Sequence, residues 1–112
     1  MKYEFKLNDA QRRDVERCVN AVEAYRASLD KAFLSGEISF QIASNCNLFF
    51  TLDALKEILD GAVWEMSINN LDGECKLLDM MIEAQPEQFS KLQAELEEIH
   101  NAFSALQMLK IA

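Results

Sequence analysis
From Asn8 to Gly36 the chain reads NDAQRRDVERCVNAVEAYRASLDKAFLSG, and the spacing of its apolar residues decides the fold class. Val15, Cys18, Val22, Tyr25, Leu29 and Ala32 recur at alternating steps of three and four. That period places side chains on one face of an α-helix. Asn8 offers an N-cap, and Gln11, three residues on, completes a capping-box pattern in which each residue satisfies an amide of the other. Ser35-Gly36 supplies the stop. The spacing predicts a helix over 9–34, roughly 40 Å long at 1.5 Å per residue, with one apolar seam.

The C-terminal third repeats the pattern. Phe89, Leu92, Leu96, Ile99, Phe103 and Leu106 again alternate steps of three and four, and Cys75, Leu78 and Ile82 lead toward them in phase across Pro86. A proline inside a helix removes a hydrogen bond and clashes with the preceding turn, at a cost of ~3 kcal/mol. Either one long helix kinks there, or a short helix ends near Ala84 and Pro86 opens the next at the first position, where proline is tolerated. The break is the reading adopted here. Between the two seams, Leu48, Leu52, Leu55, Leu59 and Ala62 predict a helix from Ser39 to Asp60, weakened at Asp60-Gly61 and continuing to Met66. Ser67 to Gly73, with Asn69-Asn70 and Asp72-Gly73, reads as a loop.

Two short segments carry a strand-like period instead, residues 2–7 (Lys-Tyr-Glu-Phe-Lys-Leu) and 38–42 (Ile-Ser-Phe-Gln-Ile). Pairing them is disfavoured by geometry, since a ~40 Å helix separates their positions and each spans only ~20 Å. Residues 1–7 are therefore expected as an extended N-terminal segment, and 38–42 as part of the second helix. The expected fold is all-α: a single domain over 1–112, an antiparallel bundle of three to four helices near 9–34, 39–66, 73–84 and 86–110.

Composition agrees with this and narrows the function. The 112 residues are half apolar, enough for one buried core, while only three Gly and one Pro argue against a turn-rich β-sandwich or barrel. No run of ~18 uncharged apolar residues occurs, and Met1-Lys2-Tyr3-Glu4-Phe5 is no signal peptide, so a cytoplasmic, non-membrane protein is expected. The formal net charge of −8 argues against direct binding of nucleic acid or an anionic membrane. Cys18, Cys46 and Cys75 are odd in number and form no CxxC pair, which predicts reduced thiols rather than a disulfide framework or a zinc site.

Chemistry-bearing patterns are sparse. Glu97 and His100 have the E-x-x-H spacing found in di-iron bundles, but such sites need two copies plus two further Glu, and this chain has one His. No nucleophile–base pair is marked, and Gly36, Gly61 and Gly73 stand alone, so no loop can cradle a phosphate. The expectation is a chain that is not an enzyme and has no catalytic residue, metal or cofactor. Arg12, Arg13 and Arg17 form a basic contact patch, or else a solvated face paired with Asp9, Asp14 or Glu16. Phe49, Phe50 and Trp64 cannot all face one narrow core, and Trp is a frequent binding anchor.

A surface-acting protein follows: a small acidic protein-binding factor (inhibitor, adaptor or chaperone-like subunit) that blocks or sequesters a protein partner. Analogy with acidic inhibitors carried by phages and mobile elements points the same way. Its partner or homodimer interface is expected on the strict seam of Phe89, Leu92, Leu96, Ile99, Phe103 and Leu106, together with Trp64. One alternative is an acidic decoy imitating nucleic acid through Glu83, Glu87, Glu95, Glu97 and Glu98, a run interrupted by Lys76 and Lys91. Another is a metal-dependent helical enzyme built on Glu97 and His100.

Overall fold
The computed structural model describes residues 2–4, 8–60 and 62–106, with side chains over 8–60 and 75–104. Asn8 caps the first helix as its sequence requires. Its Oδ1 accepts from the Gln11 amide at 2.8 Å, and its own amide donates to Gln11 Oε1 at 3.1 Å. Helix α1 then runs over Asp9–Leu34. It buries Val15, Cys18, Val22, Tyr25, Leu29 and Ala32, and also Val19 and Ala21. The stripe is wider than the single seam because the elements over Gln93–Leu106 and Phe49–Leu59 pack on α1, as do those over Phe40–Asn45 and Pro86–Leu92.

The next expected helix is divided. Ser39 caps a short α2 (Phe40–Asn45), its hydroxyl accepting from the Ile42 amide at 3.3 Å. The chain breaks at 46–48 and resumes as α3 (Phe49–Leu59). Asn47 Oδ1 accepts from the Phe49 amide at 3.0 Å, a local bond that competes with helix continuation. Leu48 sits in the left-handed region, φ 56° and ψ 35°, which a branched L-residue occupies only when its surroundings hold it. Its side chain is 1% exposed, and that burial is what holds it.

The return path is antiparallel to α1. The Phe40 ring meets Phe33 with centroids 6.1 Å apart, and the Arg26 guanidinium lies 5.7 Å from the Phe49 ring centroid. As residue numbers climb on the returning chain they fall along α1, so the backbone comes back to where it began. There β1 (Lys2–Glu4) pairs antiparallel with β2 (Ala62–Trp64), in the register Lys2↔Trp64, Tyr3↔Val63 and Glu4↔Ala62. The strand period at 2–4 is thus real, but its partner is 62–64. The alternating residues 38–42 lead into α2 instead, and the second helix stops before 62 rather than running to 66.

Helix α4 (Glu65–Ala84) corrects the expected loop at 67–73, which is helical, and moves the start of the third helix from 73 to 65. The spacing explains it. Ile68, Leu71, Cys75, Leu78 and Ile82 hold the three-four phase straight through the Asn and Gly residues. An apolar seam in phase outweighs the ~1 kcal/mol that a helical glycine costs. At Gln85 (φ −139°, ψ 63°) the backbone leaves the helix, and Pro86 opens a 3-10 helix over Pro86–Leu92. The break at Pro86 is the arrangement the sequence favoured. The chain then tightens into α5 (Gln93–Leu106). Residues 107–110 of the last expected helix lie outside the described residues.

Helix α5 runs antiparallel to α1: Ser28 Oγ donates to Glu95 Oε1 at 2.9 Å, and ten residues earlier Cys18 Sγ donates to the Ala102 carbonyl at 3.2 Å. The result is an all-α antiparallel bundle, 42 × 25 × 21 Å, with α1 between α3 and α5 and α4 packed on α3. Tyr25 and Phe89 are the largest fully buried side chains in its core. The Tyr25 hydroxyl donates to the Cys46 carbonyl at 2.7 Å, tying the end of α2 to α1. Among the described residues no buried side-chain polar atom lacks a partner.

Candidate functional site
The C-terminal seam faces the chain's own core. Phe89 and Leu92 are 0% and 1% exposed, Ile99 is buried, and Leu96 and Phe103 pack half-buried against the same cluster. The five positions expected at a partner or dimer interface are thus turned toward the chain's own core, Phe89, Leu92 and Ile99 fully and Leu96 and Phe103 in part. A side chain already enclosed by α1 cannot be buried again by a second chain without opening the bundle. The strictness of the seam reflects how closely α5 lies along α1. The side chains of Leu106 and Trp64, also expected at the interface, lie outside the described residues.

The basic cluster is only partly a free patch. Arg17 donates to Glu98 Oε1 at 2.6 Å, an exposed pair joining α1 to α5. The hydrogen bond and charge of Glu98 raise the Arg17 pKa above its ordinary value. The partner is therefore Glu98, not the Asp9, Asp14 or Glu16 expected from the local sequence. Arg13 and Arg17 line a shallow groove with Glu16, Asn20, Ala24 and Glu98, while Arg12 is exposed. The groove holds charges of both signs, so it selects no anion.

Glu97 and His100 both face solvent on α5. Among the described residues no group of three or more His, Cys, Asp or Glu is placed to hold a metal ion. The acidic run is divided in the same way: Glu98 is held by Arg17 and Glu95 by Ser28. Cys18 is enclosed, and burial, with the nearby Asp14 carboxylate, pushes its thiol pKa up to about 12, the reverse of what an attacking thiolate needs. Cys46 is buried as well, and Cys75 is half-buried on α4.

What the structure does expose is a set of large apolar side chains, with phenylalanine prominent among them. Phe33, Leu34, Phe40, Phe49 and Phe50 all reach solvent at the end of α1, in α2 and at the start of α3, with Leu34 and Phe40 82% and 73% exposed. The rings are ordered in pairs, Phe33 with Phe40 and Phe49 edge-on to Phe50, centroids 5.5 Å apart. Both pairs lie along one side of α1, because Arg26 and Phe33 are seven residues apart and so share a face about 10 Å apart. The sequence indicated that Phe49, Phe50 and Trp64 cannot all face a narrow core and singled out Trp64 as the anchor, so the exposure of both Phe49 and Phe50 was only partly legible. Leu34 and Phe40 were missed, and the only signal for Phe40 was its place in the alternation at 38–42. On α4, Leu77 and Met80 add further exposed apolar surface.

Among the described residues no helix is long and apolar enough to cross a membrane. Comparison with known proteins finds no matching family model, no similar curated protein and no similar solved structure.

Proposed function
We propose that the chain is a small acidic protein-binding factor, acting as an inhibitor, adaptor or chaperone-like subunit that blocks or sequesters a protein partner. One observation carries the reading. Among the described residues every buried side-chain polar atom is paired, yet Phe33, Phe40, Phe49 and Phe50 are left in water along one side of α1, with Leu34 exposed beside them in sequence. Single exposed apolar residues are ordinary, whereas a run of aromatic ones marks surface that another molecule covers. Aromatic side chains are also the types enriched at protein interfaces. The interface in this reading lies on α1, α2 and α3, away from the buried C-terminal seam.

Affinity capture from lysate of the native host, with mass spectrometry of the retained proteins, tests the reading. The expected result is a stoichiometric partner that survives 0.5 M salt, because apolar contacts are not screened. Retention of nothing above background would overturn it. A partner lost completely at moderate salt would point to the nucleic-acid-mimicking decoy.

A further inference from the structure
Resting on that binding role, we propose that the exposed aromatic strip of α1, α2 and α3 docks a cationic amphipathic helix, a protein segment with one apolar face flanked by Lys and Arg. The strip lies within the reach of a single helix. It runs from Phe50 through Phe49 to Arg26, then along α1 to Phe33 and across to Phe40. The ring spacings and the rise of α1 make that path at most about 28 Å. An α-helix of roughly 12 to 18 residues covers such a span. Its apolar side chains, recurring every three or four residues, meet successive rings, which is how an amphipathic helix is read by a hydrophobic surface.

Charge selects the sign of the partner. Asp30 stands on α1 between the two aromatic pairs, four residues after Arg26 and three before Phe33, and is exposed. On α3, Asp53 is exposed one turn beyond Phe49 and Phe50, and Asp60 continues the same face. The cations of this surface are Arg26, whose charge is turned onto the Phe49 ring, and Lys56. The whole chain adds a net charge of −8. A second copy of the chain brings another −8 and is repelled, and so are nucleic acids and anionic lipid surfaces. A basic segment is steered in.

The test uses the full chain and a fluorescein-labelled 18-residue peptide of Leu and Lys in helical amphipathic spacing, in 0.15 M NaCl. Two comparison peptides keep the length. One replaces every Leu by Ser, and the other every Lys by Glu. Saturable one-to-one binding of the Leu/Lys peptide, at least tenfold tighter than either comparison, is expected. Phe40→Ser with Phe50→Ser should weaken it at least tenfold while circular dichroism stays helical, because both rings are already in solvent. Asp30→Asn with Asp53→Asn should weaken it about threefold, and that difference should shrink in 0.5 M NaCl as the charges are screened.

Equal affinity for the Ser-containing peptide, or an unchanged affinity in the double Phe variant, would overturn the proposal. So would sedimentation showing a dimer of the free chain that Phe40→Ser and Phe50→Ser dissociate, since the occupant would then be a second copy. The capture experiment keeps the two readings apart. If the double Phe variant retains the same lysate partner as the wild type, the strip is overturned and the binding role stands. If the wild type retains no partner but binds the peptide as described, the binding role is overturned and the docking surface stands.

Discussion
Leu48 gives the sharpest test of how tertiary packing shapes this chain. It holds φ 56° and ψ 35° with its side chain 1% exposed, at the junction where α2 ends and α3 begins. Left-handed backbone costs an L-residue roughly 1–2 kcal/mol, and only glycine escapes it. Truncating a buried Leu to Ala removes about 2–5 kcal/mol and leaves the backbone cost in place. Leu48→Gly loses the same packing but relieves the strain, while its freer unfolded chain takes back roughly 0.5–1 kcal/mol. Leu48→Gly should therefore be more stable than Leu48→Ala by about 0.5–1 kcal/mol. At Ala54, a buried position in the regular part of α3, glycine should instead be worse than alanine by about 1 kcal/mol or more. Urea unfolding followed by circular dichroism reads all three variants, and a domain with ~5–15 kcal/mol of stability tolerates each of them. If Leu48→Gly is no more stable than Leu48→Ala, Leu48 is not strained and the account of the α2–α3 break is wrong.

Three further outcomes follow from the core and its edge. Burial holds the Tyr25 hydroxyl neutral, raising its pKa well above the ordinary 10, so its contribution is whole below pH 10 and is lost as pH rises beyond it, at up to ~1.4 kcal/mol per unit. Tyr25→Phe should cost about 1–2 kcal/mol at pH 7 through the bond to the Cys46 carbonyl, and should lose stability less steeply between pH 10 and 11 than the wild type; equal slopes would refute this. Phe89→Ala should cost about 3–5 kcal/mol in urea unfolding without changing the mass read by light scattering, whereas a change of mass with stability intact would restore the seam as an interface. Arg17→Ala should leave the urea midpoint where it is, because the pair with Glu98 is exposed to water and salt, and a clear drop would show that the pair fastens α5 to α1.

What was legible in the sequence was whatever periodicity alone decides. The three-four spacing from Val15 to Ala32 identified α1, the Asn8–Gln11 capping box and Ser35-Gly36 located its ends, and the cost of proline, weighed against the phase across Pro86, located the break. The features missed are those in which a local preference competes with packing at a distance. Asn69-Asn70 and Asp72-Gly73 favour a turn, yet the seam from Ile68 to Ile82 keeps α4 helical through them. No local rule places a leucine in the left-handed region, so the division of α2 from α3 could not be read from residues 46–48. The partner of β1 depended in turn on that division, since a chain that stays one straight helix to 66 does not bring 62–64 beside 2–4 in the same way.

The same limit explains the site. Periodicity reports which face of a helix is apolar and is silent on what covers it. Two strict seams, on α1 and α5, satisfy each other within one chain, which is why the more regular pattern proved to be core. The residues left for a partner are those that break the pattern. Phe33 and Leu34 lie off the α1 seam, Phe40 shares the apolar phase of a strand-like alternation with Ile38 and Ile42 but stands two residues from Ile42 on a helix and so faces away from it, and Phe49 and Phe50 are adjacent, so at most one of two can point inward on a helix, and here neither is buried. Surplus aromatic side chains outside a completed seam are thus the better guide to binding in this protein than the seam itself. Arg26, laid on Phe49, extends the strip they form rather than interrupting it, because a guanidinium over a ring presents an aliphatic stem beside the aromatic edge.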